Sequence, residues 1–178
     1  YGQQMRPMAM ALANDEAMKN VAAYVATFKE KLVAVEEKTS EPTSVETIAL
    51  SSLGSAENGK ALYSVCVSCH GVDGSGNKAL NAPRIAGQQE WYLKRQLAAF
   101  KSGMRGTHSE DIYGQQMRPM SMTLTNDQAI VDVSTYVNSL SGPVSETTIK
   151  GDLTAGKASY TVCVSCHGAN GEGNKDLN

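Results

Sequence analysis

The sequence predicts an all-α protein built from small helical modules, and three observations carry that prediction. Apolar residues recur at helical spacing in two segments, Tyr92, Leu93, Leu97 and Phe100 in one and Ile130, Val133, Val137 and Leu140 in the other. Aromatic residues make up only 6% of the chain, few for a self-sufficient core. The pentapeptide C-V-S-C-H occurs twice, at Cys66-Val67-Ser68-Cys69-His70 and Cys163-Val164-Ser165-Cys166-His167, and the two copies use all four cysteines.

Two thiols three residues apart can each add to one vinyl group of a porphyrin, and the imidazole that follows then lies under the iron. A zinc site could use four thiolates, but zinc requires no histidine at a fixed offset. A thioredoxin-like pair would sit in a βαβ unit, and no such pattern surrounds either motif. A disulfide within C-x-x-C would be strained and would leave both histidines unexplained. The motifs therefore point to two covalently attached haems c, each tethered by Cys66 and Cys69 or by Cys163 and Cys166, with His70 and His167 as proximal iron ligands. A flat apolar porphyrin also makes up the aromatic deficit, since a few helices can pack around it.

The elements follow in order. Gly59-Lys60-Ala61-Leu62-Tyr63 leads helically into Cys66, with Gly59 and Tyr63 one turn apart on a common face where a second helix can approach closely. Gly71, Gly74 and Gly76 mark a loop that continues through Ala82-Pro83-Arg84-Ile85-Ala86-Gly87. A helix is expected over 89–101, with Trp91 beside its apolar stripe. A methionine loop follows. The last helix is expected to start near Thr125, which forms a T-x-x-Q capping box with Gln128, and to stop at Ser141-Gly142-Pro143.

Six of the eight methionines fall in two M-x-x-M-x-M triads, Met5/Met8/Met10 and Met117/Met120/Met122. Flexible thioethers commonly fill gaps in cores. One member of each triad has a further use, because an iron with a proximal histidine needs a sixth ligand and methionine raises its potential. The triads belong to a larger repeat: Tyr113 to Met120 recurs as Tyr1 to Met8, and Gly76 to Asn81 is echoed by Gly173 to Asn178.

Together the C-V-S-C-H-G motif, A-P-R-I-A-G-Q at 82–88, Y-L-K-R-Q-L at 92–97 and M-R-P-M-S-M-T-L before the Y-V-x-S-L helix resemble the class I cytochromes c, especially their two-domain dihaem periplasmic branch. The resemblance implies small helical domains in tandem around covalent haem. It implies Met117 and Met5 as the axial methionines, seven residues before Leu124 and Leu12, with Met120 and Met8, or Met122 and Met10, as alternatives. It further implies that the Pro83 carbonyl orients His70, and that Gly59, Tyr63 and Tyr136 mark the crossing of the first and last helices. Arg84 could reach a propionate or lie solvated at the surface. His108, in the polar stretch 105–111, is expected to be exposed or hydrogen-bonded locally.

The resulting layout is a C-terminal part of a cytochrome c domain over 1–28, an acidic linker over 29–56, a complete domain over 57–141, a linker over 142–151, and an N-terminal part of a domain over 152–178. Cysteine motifs lie 97 residues apart (66 to 163) and methionine segments 112 apart (5 to 117), so the linkers differ in length. Neither terminal part contains a counterpart of 82–112. Two arrangements fit: neighbouring haem domains or subunits complete the terminal parts, or Met5 completes the His167 haem, within one chain or across a subunit boundary.

The formal charge of −2 gives no case for nucleic acid, and no apolar run approaches a membrane span. The expected function is electron transfer between a redox donor and acceptor, in the periplasm or another extracytoplasmic space. The competing class is a haem enzyme or sensor with an open iron position at His167.

Overall fold

The computed structural model describes residues 2–30, 53–143 and 149–177, and they form two compact units. One is 53–143; the other combines 2–30 with 149–177. Most of the acidic linker (31–52) and part of the second linker (144–148) lie outside the described residues.

In chain order the helices are α1 Gly2–Met10, α2 Asp15–Ala26, α3 Ala56–Leu62, α4 Val67–His70, α5 Glu90–Lys101, α6 Ile112–Met122, α7 Asp127–Ser139, α8 Leu153–Tyr160 and α9 Val164–His167. Short 3-10 turns join several of them, and among the described residues the only strand-like pairing is an isolated bridge between Asn77 and Ala82. The all-α expectation holds.

In the 53–143 unit, α3 and α5 both pack on α7, and α5 also packs on α6. Leu93, Leu124, Ile130, Val133, Val137 and Tyr63 form one buried cluster, with Ile85, Leu97 and Leu140 against it. Leu93 and Leu97 of the first stripe and Ile130, Val133 and Val137 of the second thus form the core faces of α5 and α7, with Leu140 just past the end of α7, whereas Tyr92 is 40% exposed and turns away from this core. α3 crosses α7 closely because Gly59 has no side chain: a Cβ there would lie 2.1 Å from the Asp132 carbonyl oxygen. Beside this crossing the Tyr63 and Tyr136 rings sit 5.4 Å apart.

Two sequence expectations require correction. The methionine segment is a helix, not a loop. Asp111 accepts a hydrogen bond from Gly114 N at 2.9 Å and so starts α6, and methionine and glutamine favour helix strongly enough to carry it past Pro119, which forfeits one backbone donor. The cap of α7 is Asn126 and not Thr125. Its side chain accepts from Ala129 N at 2.8 Å, while the Gln128 amide reaches Asp132 at 2.8 Å instead of turning back to close a capping box.

The path between α4 and α6 leaves and returns at one place. Asn81, in left-handed backbone with φ 53°, donates its amide to the Tyr113 hydroxyl at 2.8 Å.

The second unit repeats the α3–α7 crossing as α8 on α2. A Cβ on Gly156 would lie 2.1 Å from the Asn20 carbonyl oxygen. Tyr24, Phe28 and Tyr160 pack as an aromatic trio with centroids 5.0 to 5.7 Å apart. α1 holds the other methionine triad as a helix, again with a proline inside.

Candidate haem sites

The first C-V-S-C-H begins as a 3-10 turn, Tyr63–Val65, and closes as α4. The His70 N–H donates to the Cys66 carbonyl at 2.9 Å, so the single helical turn fixes both cysteines and the histidine relative to one another. Gly71, at φ 80°, then breaks the turn, a conformation that suits glycine. The buried Tyr63 hydroxyl donates to the Gly71 carbonyl at 2.7 Å and locks that break against the core. Burial, with the nearby Cys66, pushes the Tyr63 phenol up to about 12. Removing this hydroxyl as Tyr63→Phe is expected to cost about 1 kcal/mol of stability in urea denaturation, the usual net worth of such a bond.

His70 is 5% exposed, and its Nδ1 lies 2.9 Å from the Pro83 carbonyl oxygen. A carbonyl only accepts, so Nδ1 carries the proton and Nε2 keeps its lone pair for a metal. The loop that supplies Pro83 is itself held: Ile85 N and Ala86 N both donate to the Gly74 carbonyl, at 2.9 and 3.0 Å. Arg84 acts as a strut here. Its Nη1 donates to Ala86 O at 2.6 Å and its Nη2 to Gly142 O at 2.9 Å. Its terminal nitrogens are thus occupied by backbone carbonyls, whereas the sequence left Arg84 between a propionate and the open surface.

Cys66 is half-buried and Cys69 exposed. Burial first, and then the neighbouring Cys69 thiol, pushes Cys66 up to about 11. Met117 lies half-buried on α6, while Met120 and Met122 are exposed at 39% and 54%.

The second motif reproduces the first bond for bond. His167 N donates to Cys163 O at 2.9 Å, Gly168 sits at φ 78°, and the Tyr160 hydroxyl donates to Gly168 O at 2.9 Å. Burial, followed by Cys166, raises the Cys163 thiol. The loop after it is closed by Glu172, which accepts from Asn170 N at 2.7 Å; backbone donors hold that carboxyl below its ordinary value.

The surroundings differ. His167 is exposed, and its Nε2 lies 3.4 Å from the sulfur of Met5. Segments 162 positions apart in sequence thus bring an imidazole nitrogen and a thioether face to face. His108 is exposed and accepts from Glu110 N at 3.2 Å, in keeping with a local role.

These donor sets fit haem c. Each unit offers two thiols on one helical turn, an adjacent imidazole whose Nε2 is free of backbone bonds, and a methionine helix. Tyr160 was not singled out in the sequence, although its place three residues before the first cysteine of its motif matches that of Tyr63 and could have revealed it.

A cytochrome c family model matches residues 56–141. The chain is similar to cytochrome c4 of Stutzerimonas stutzeri, 35% identical over 135 residues that cover 68% of this chain and 61% of that protein. Cytochrome c4 of Azotobacter vinelandii is 34% identical over 133 residues, with shares of 68% and 61%. This chain therefore spans about six tenths of the length of these relatives. Cytochrome c-554(548) of Halomonas halodenitrificans is 33% identical over 86 residues, 48% of this chain and 96% of that protein. With a helical unit around each C-V-S-C-H and relatives of this kind, the chain belongs to the class I cytochromes c.

Proposed function

We propose that the chain passes single electrons between redox proteins through two haems c, each completed by histidine and methionine. The observation that carries this reading is the approach of Met5 Sδ to His167 Nε2 at 3.4 Å, a thioether opposite the imidazole. Met117 is the counterpart of Met5 in the internal repeat, which favours it over Met120 as the methionine of the His70 site. Haem supplies a one-electron couple, and the residues of the chain adjust how it is held.

Cys66, Cys69, Cys163 and Cys166 tether the two groups. His70 would bind iron through Nε2, with its ring held by the Pro83 carbonyl, a contact that raises the basicity of the imidazole. Met117 and Met5 would each supply a second protein ligand to an iron, which would leave no position open to a substrate and would suit a carrier of single electrons over an enzyme. Attachment to C-x-x-C-H in this family takes place outside the cytoplasm, which supports a periplasmic location. Among the described residues no helix is long and apolar enough to cross a membrane.

The oxidised protein is expected to show the weak red charge-transfer band of methionine-ligated ferric haem. Met117→Leu and Met5→Leu should each remove about half of its intensity, and Met120→Leu should leave it unchanged. Loss of the band in Met120→Leu alone would transfer the ligand role to that residue. High-spin bands in the unsubstituted protein would instead favour a haem enzyme or sensor.

A further inference from the structure

Met117 rides on a helix with a weak middle. Pro119 lies two residues further along α6 and has no N–H to give the Gln115 carbonyl, so the helix loses a bond where Met117 needs it. The place of Met117 then depends on what grips α6 from outside. The last turn of α5 and the loop after it, 101–106, supply two grips.

At the start of α6 the grip is a close approach. A Cβ on the buried Gly106 would lie 2.2 Å from the Gly114 carbonyl oxygen, so the loop backbone lies directly against the first turn. At the end of α6 the grip is a charge. Thr123 N and Oγ1 both donate to Met120 O, at 3.2 and 2.7 Å, and Leu124 N donates to Ser121 O at 3.2 Å. The Leu124 carbonyl in turn accepts from the Lys101 ammonium. Leu124 is 4% exposed and belongs to the core cluster, so the exit from α6 is fastened through both its side chain and its backbone.

Lys101 stands in the last turn of α5, where a lysine ordinarily serves the carbonyls of its own helix end. That end has no need of it. Ala98 O, Ala99 O and Phe100 O already accept from Ser102 N, Arg105 N and Gly103 N, at 2.9, 3.0 and 3.1 Å. The half-buried lysine therefore turns its ammonium to the end of the neighbouring helix.

We infer that Lys101 is a positioning residue for the sixth ligand of the His70 haem: its bond to Leu124 O holds the end of α6 and so decides how readily Met117 gives way to a ligand from solution. A charge-assisted bond is stronger than a neutral one, and its loss reaches the iron through the helix without either partner touching the metal. The inference rests on the histidine–methionine reading, from which it takes only that Met117 is the ligand.

The test uses the full haem-loaded chain, oxidised, in a Met5→Leu background, where the weak red charge-transfer band reports Met117 alone. Imidazole is added and the loss of that band is followed. Lys101→Met keeps the length of the stem and removes the donor, and the imidazole concentration at half-loss is expected to fall about tenfold. Lys101→Gln is expected to act in the same direction, whereas Lys101→Arg, which keeps a charged donor, should stay within about threefold of the parent. Asp132→Asn loosens the same unit at the α3–α7 crossing and should lower the urea midpoint while leaving the imidazole midpoint nearly unchanged. An imidazole midpoint for Lys101→Met within about twofold of the parent would overturn the inference. So would an equal fall in Lys101→Met and Asp132→Asn, which would trace the effect to stability at large, or in Lys101→Met and Lys101→Arg, which would separate it from the donated bond. No red band in the Met5→Leu parent would be a different failure: it would remove Met117 as the ligand, and this inference with it.

Discussion

Gly59→Ala is expected to destabilise the 53–143 unit by about 3 kcal/mol, the upper end of the usual cost of overpacking. Alanine is the better helix former, so on an open surface the change would gain nearly 1 kcal/mol. Here the added carbon would stand 2.1 Å from the Asp132 carbonyl oxygen and 2.7 Å from Tyr136 Cβ. Backbone cannot rotate away as a flexible side chain can, so α3 would have to lift from α7. That movement would also disturb the Tyr63 hydroxyl and the turn that carries Cys66 to His70. Gly156→Ala should have a similar effect on the other unit, where the obstacle is the Asn20 carbonyl at 2.1 Å. Urea denaturation followed by helical circular dichroism measures both. A loss below about 0.5 kcal/mol for either would show that the crossing can open without cost.

The same crossing has an acid-sensitive version and an insensitive one. Asp132 is buried on α7, and its carboxylate accepts from Ser55 N and Gln128 Nε2, both at 2.8 Å, and from Asn58 Nδ2 at 3.5 Å. Burial alone would raise its pKa, but these three donors outweigh it and hold the group below the ordinary carboxylate value. The folded pKa is depressed, so the associated stability is fully present above the unfolded value, about 3.9, and is lost as pH falls through the folded one. At the matching place Asn20 accepts from Asp152 N at 2.8 Å and does not titrate. Asp132→Ala is therefore expected to cost about 3 kcal/mol at neutral pH, because it strands Ser55 N and two amides. Asp132→Asn should cost about 1–2 kcal/mol at neutral pH, with the gap to the parent closing on acidification below pH 4. A gap independent of pH would show that the charge plays no part.

Much of the fold could be read from residue order because helices with one buried face leave a period in the sequence. The stripes of α5 and α7 and the close approach at Gly59 belong to this class, whereas the Pro83 contact to His70 leaves no period and was implied only by the resemblance to the class I cytochromes c. The helical methionine segment was obscured by Gly114 and Pro119, two residues that ordinarily mark loops. Nothing in the period distinguishes Asn126 from Thr125 as the cap, since both are polar residues at the edge of the same stripe. Asp132 reads as a solvated charge on a helix, and only the three-dimensional approach of Ser55 reveals it as a clasp.

The Asn81–Tyr113 hydrogen bond gives the intervening segment a particular status in the economy of the fold. Its ends are fastened together at 2.8 Å, so the polypeptide between them is a closed excursion from a body that already contains the cysteines, the histidine and the methionine helix. For such an excursion the entropic cost of closing the ends grows only with the logarithm of its length, by about 0.6 kcal/mol per doubling. The excursion can therefore be resized or exchanged with little change in the connectivity of the rest. What anchors the excursion to the body is then a few points within it, the Pro83 carbonyl at His70 and the apolar face of α5, and the stretches between those points are where its length can change.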